Sequence, residues 1–100
     1  MPVLPEKEGI ILFGKNVRKA RKAKKLTMQE LANIAEIELS QVSRIETGKI
    51  NTKLSTILIL ARALEVNPKE LFDLPWKEKY RLIFDPFKTS SSIFSFIGLL

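Results

Sequence analysis

The chain has 100 residues, enough for one domain that buries roughly 65% of its unfolded surface. It has no cysteine and no histidine, which excludes disulfides, thiolate or imidazole metal sites and every Ser/His or Cys/His nucleophile pair, so no catalytic site, metal or cofactor is expected. Seventeen basic against eleven acidic residues give +6, and residues 13–50 carry net +5 of it. Charge concentrated in one stretch is the footprint of a polyanion-binding face, with nucleic acid as the leading partner.

Residues 1–9 hold two prolines, a glycine and three charges, and read as a disordered lead-in. From residue 10 the periodicity is helical, with Phe13, Val17 and Ala20 at i, i+4 and i+7, and a first helix is predicted over about 10–24. Thr27-Met28-Gln29-Glu30 has capping-box spacing and opens a second helix over 28–35. Val42 and Ile45 mark a third, over 39–47, closed by Gly48. A fourth covers 54–64, with Leu54, Ile57, Leu58, Ala61 and Leu64 as its apolar stripe and Ile59 on its exposed face. Asn67, Pro68 and Glu70 start a fifth, over 68–73. No strand alternation and no repeat stands out, so the fold class is all-α: five short helices over 10–74 around one core.

Residues 75–100 differ in kind, with two prolines, a serine run and scattered aromatics, and weak order is expected there. Trp76, Tyr80, Ile83 and Phe84 offer either a dimer or protein-partner contact or a cover for the domain. No apolar run approaches the roughly 18 residues of a membrane span, and no secretory signal is visible, so a cytoplasmic protein without membrane contact is expected.

The second and third helices are joined by about three residues, the geometry of a helix-turn-helix. Ala32 is small where the two approach. Leu31, Ala35, Ile37, Val42 and Ile45 point inward, leaving Leu39, Ser40, Gln41, Ser43 and Arg44 on the outer face and front of the third helix. The loop after it offers Lys49, Asn51, Thr52 and Lys53 to phosphate. Most of the seven basic residues between Lys15 and Lys25 read as a solvated surface. The segment from Gly9 to Asn16 nearly spells the phosphate-cradling G-x-x-x-x-G-K-[ST] loop. Its apolar interior, its final Asn and the absence of a preceding strand argue against a nucleotide site.

LTMQELA at 26–32, QVSRIETGK at 41–49 and LARALEVNPKELF at 60–72 together resemble the phage-repressor/Cro-type helix-turn-helix family, also called XRE-like, over about residues 13–73. The resemblance implies a five-helix domain that binds double-stranded DNA, usually as a homodimer on a two-fold site, and regulates transcription. It places base contacts on Leu39, Ser40 and Arg44, with Gln41 and Ser43 beside them. Met28 takes a position often held by a phosphate-contacting glutamine, with Thr27 and Gln29 flanking it. Arg21 and Glu46 match residues that pair structurally. Departures are Leu39, suited to a thymine methyl, Glu38 at a Ser/Thr cap position, and Glu36 in place of the turn glycine. The last costs about 1 kcal/mol in a left-handed conformation. The alternative from another class is an antitoxin-like or adaptor module that uses the same fold mainly for protein binding.

Overall fold

The computed structural model describes residues 5–74, which form α1 (Pro5–Ala23), α2 (Met28–Ala35), α3 (Leu39–Glu46), α4 (Leu54–Leu64) and α5 (Pro68–Leu71). Among the described residues there is no strand. The expectations placed on residues 75–100 lie outside the described residues, as does the start of the lead-in, residues 1–4.

The first helix begins at Pro5, not near residue 10, which corrects the reading of residues 5–9 as disordered. Proline is preorganised for a first helical turn, and Glu6 and Glu8 sit where the helix dipole favours acids. Gly9 is tolerated inside the helix at a cost of about 1 kcal/mol. α3 ends one residue before the expected boundary, and α5 is a single turn that stops at Leu71 rather than 73.

Two starts are capped as their spacing demands. The Glu30 N–H donates to Thr27 Oγ1 at 3.0 Å, and the Thr27 N–H donates to Glu30 Oε1 at 2.8 Å. At α5 the Asn67 N–H donates to Glu70 Oε2 at 3.0 Å and the Lys69 N–H donates to Asn67 Oδ1 at 3.0 Å, with Pro68 just inside. Four helix ends share one closure, in which the residue after the turn donates back five positions and the turn residue itself is left-handed. At α3 that residue is Gly48, with φ of 71°. At α1, α2 and α4 it is charged: Lys25, Glu36 and Glu65, with φ of 57–59°. Each of these three carries a left-handed cost of about 1–2 kcal/mol. Each is followed by an apolar residue, Leu26, Ile37 or Val66, packed against the core. That burial, with the bonds Leu26 N–H to Arg21 O, Ile37 N–H to Ala32 O and Val66 N–H to Ala61 O, offsets the cost.

The core is Phe13, Val17, Leu31, Ala32, Ala35, Val42, Ile45, Ile57, Leu60, Ala61, Leu64 and Leu71. α4 buries Thr56, Ile57, Leu60, Ala61 and Leu64 and leaves Leu54 and Leu58 in solvent, while Ile59 is half-buried against the core. This corrects the predicted stripe at Leu54 and Leu58, adds Leu60 to it, and moves Ile59 off the exposed face. Eight of the eleven α4 residues are apolar, so periodicity alone does not choose the inner face.

Candidate nucleic-acid interface

α1 fixes the far end of α3. A Cβ at Gly14 would lie 2.2 Å from the Ile45 carbonyl oxygen and 3.0 Å from that of Glu46, so only glycine lets the two backbones approach this closely. Beyond the helix end, a Cβ at Gly48 would meet Ile11 Cα at 2.9 Å. The Arg21 guanidinium closes the arrangement. Its Nε donates to Glu46 Oε2 at 2.7 Å, its Nη2 to Glu46 Oε1 at 3.0 Å and its Nη1 to Leu26 O at 2.7 Å. This fork also meets the α1–α2 junction, so one buried cation ties together α1, the start of α2 and the end of α3.

The near-match to a phosphate loop therefore lies inside α1, where its glycine serves helix packing. Asn16 ends that segment, and its Nδ2 donates to Leu71 O and Asp73 O, both at 3.0 Å, anchoring the chain after α5. The Phe13 and Phe72 rings, 5.4 Å apart, seal the same junction.

The front of α3 is left free. Leu39, Ser40 and Arg44 are exposed, Gln41 and Ser43 half-buried, while Val42, Ile45 and Glu46 face the core. Glu38 occupies the N-cap position without a side-chain cap bond, and the left-handed turn residue before it is Glu36. Lys49, Asn51 and Lys53 are exposed along the following loop and Thr52 is half-buried. Lys53 caps α4 without a side-chain bond. At the start of α2, Thr27 and Gln29 are exposed. The Gln29 Nε2 donates to Asn33 Oδ1 at 2.9 Å, and the Met28 side chain packs against the core. Thr47 was not singled out from sequence. Its hydroxyl donates to Ser43 O at 2.8 Å and closes the last turn of α3. Gly14 and Asn16 were not singled out for packing either; the signal available was a glycine and an amide set into an apolar helical face.

Lys15, Arg18, Lys19, Lys22, Lys24 and Lys25 are all exposed. No group of carboxylates among the described residues could hold a metal ion. No helix among them is long and apolar enough to cross a membrane.

A short helix, a three-residue turn that opens on the left-handed Glu36, and a second helix whose inner face is buried and outer face free define a helix-turn-helix unit. The model of the HTH_3 helix-turn-helix family matches residues 17–71, and the chain belongs to that family, one of DNA-binding transcriptional regulators and not of enzymes. Control protein C.BamHI of Bacillus amyloliquefaciens is 36% identical over 64 residues, covering 63% of this chain and 79% of its own. The HTH-type transcriptional regulator RghRB of Bacillus subtilis is 44% identical over 55 residues, 54% of this chain and 40% of its own. The crystal structure of the restriction-modification controller protein C.AhdI from Aeromonas hydrophila superposes with a TM-score of 0.62 at 40% identity, over 63% of this chain and 96% of that one.

Proposed function

We propose that this chain is a sequence-specific regulator of transcription that lays α3 in the major groove of double-stranded DNA, as a homodimer on a two-fold site. The observation that carries this is the division of α3. Its inner face and far end are held by core packing, Gly14 and the Arg21–Glu46 pair, while Leu39, Ser40 and Arg44 project outward. A rigid helix with a free polar front is what base reading needs. One such helix meets only a few base pairs, so two copies reading half-sites about 34 Å apart would supply useful specificity. The relatives named as control and controller proteins support regulation as the output.

In this reading Arg44, with Leu39, Ser40, Gln41 and Ser43 around it, reads base edges. Lys49, Asn51, Thr52 and Lys53 hold phosphate from one side, and Thr27, Gln29 and the Met28 backbone from the other. The lysines and arginines of α1 raise the long-range potential and the association rate.

Arg44→Ala and Lys49→Ala should fail differently. The site would be obtained by selection from random duplexes, and each variant titrated against it and against single-base variants across a salt series. Arg44→Ala should lose about 1–3 kcal/mol on the preferred site and relax discrimination at one base position. Lys49→Ala should weaken every duplex alike and reduce the salt slope by about one. Equal weakening of all sites by Arg44→Ala would make Arg44 a phosphate anchor instead.

A further inference from the structure

An open apolar cavity of about 270 Å³ lies between the first half of α1, the start of α4 and the chain that follows α5. Ile10, Phe13, Ile57, Phe72 and Leu74 wall it, and Asn51 and Thr52 of the loop after α3 form its rim. Phe72 packs its ring on Phe13 yet stays 47% exposed, so part of this apolar wall is left in water. Covering it gains free energy.

We propose that the side chain of Trp76 seats in this cavity and braces the loop that holds phosphate. The bracing rests on the DNA-binding reading above; the seat does not.

Three observations select the chain's own Trp76 as the occupant. The first is where the chain leaves. The Asn16 Nδ2 grips Leu71 O and Asp73 O, and Leu74, the next residue, already lines the cavity. Trp76 is two residues further on, at most about 7 Å of extended chain. The second is direction. A proline holds the residue before it to the extended region, and in an extended chain side chains two apart share a face. An extended Leu74-Pro75-Trp76 segment therefore turns the indole to the side that Leu74 lines.

The third is size and charge. Pockets for small-molecule ligands begin at about 300 Å³, and this smaller one suits a single large side chain. A tether this short keeps the indole at an effective concentration of about millimolar or more, an advantage that a free ligand lacks. Glu6 stands at the mouth, where Lys77 would arrive just after the indole.

Asn51 and Thr52 share a wall with the seated ring. A filled cavity stops the loop from settling inward, so its polar groups stay at the surface where phosphate is met. Trp76 is thus a positioning residue that acts through the loop. Its loss should weaken every duplex alike and leave base discrimination, which belongs to α3, unchanged.

The test uses the full chain, whose single tryptophan makes the indole signals unambiguous. Nuclear Overhauser spectra should connect that ring to the Ile10 and Ile57 methyls. In a mixture of labelled and unlabelled chains these contacts should be absent between different copies. No contact with either isoleucine would overturn the seat, as would contacts that arise only between copies. Trp76→Ala and Trp76→Phe would then be titrated against the selected duplex, its single-base variants and random duplex, at a temperature where circular dichroism shows both variants folded. Trp76→Ala should bind all of them about tenfold more weakly, the worth of one hydrogen bond to a charged group. The ranking of duplexes should be kept, and Trp76→Phe should recover most of the loss. Undiminished binding by Trp76→Ala, or a loss confined to the preferred site, would overturn the bracing. If the parent binds no duplex, the DNA reading falls and takes the bracing with it, while the Overhauser contacts still decide the seat.

Discussion

Arg21 in the last turn of α1 and Lys24 just past its end lie three residues apart, and each holds a glutamate from a distant part of the chain. Arg21 meets Glu46 in a two-bond fork with both side chains almost fully removed from water. Lys24 meets Glu65 through a single contact, with both groups open to solvent. In sequence they are two cations in one basic run, but burial separates their consequences. The buried pair fixes the end of the proposed reading helix, and once made it cannot lose one member without stranding the other. The exposed pair can exchange its contact for water at little cost. Charge density along α1 therefore does not show which cation matters; the depth of the partner does.

The sharpest way to break this comparison is Arg21→Ala. Removing the guanidinium leaves the Glu46 carboxylate buried and unpaired and should cost about 3–5 kcal/mol in a urea or thermal melt. Arg21→Met with Glu46→Leu should recover much of that, since a matched apolar pair leaves no stranded charge. A normal melting temperature for Arg21→Ala would place both pairs in the same class.

Gly14→Ala probes the same junction through shape instead of charge. The added methyl would overlap the Ile45 carbonyl, which is backbone and cannot rotate away. Separation of α1 from α3 should cost about 1–3 kcal/mol, the range for overpacking. Because α3 would move as a body, binding to the selected duplex should fall further than binding to random duplex. Equal loss on both would show that the close approach serves stability alone.

Much of this was legible from residue order. The capping boxes at Thr27 and Asn67 announce themselves by spacing, because reciprocal bonds need an acceptor and a carboxylate three residues apart. The free face of α3 was legible as the complement of Val42 and Ile45. Three features were not. Pro5 to Gly9 contain residues that break helices elsewhere, and only a start at Pro5 makes them compatible with one. Lys25 and Glu65 close their helices in a conformation usually given to glycine. Their one sequence signal is the apolar residue that follows, Leu26 or Val66, which the turn carries into the core. Leu54 and Leu58 sit on a helix so apolar that its pattern favours no side, and their exposure follows from where α1, α2 and α5 pack against α4.

The smallest expected effect is at the exposed pair. The hydrogen bond from Lys24 holds the Glu65 carboxyl below its ordinary value of 4.5, with Coulomb attraction to the ammonium adding to it and slight desolvation opposing. A carboxyl that is more acidic folded than unfolded stabilises the fold at pH values above its ordinary range. That contribution is lost as pH falls through the folded value, below 4.5. Glu65→Gln removes the titration but keeps the length of the side chain and its left-handed backbone. Its deficit relative to the parent should therefore be small and flat near neutrality and should close in the acid limb. It should also shrink on raising salt to about 0.5 M, since an open pair is screened while Arg21–Glu46 is not. Urea melts of both proteins at about pH 7 and about pH 3, at low and high salt, measure this. A neutral-pH deficit as large as that of Arg21→Ala, or one that survives high salt, would show that solvent exposure does not separate the two pairs.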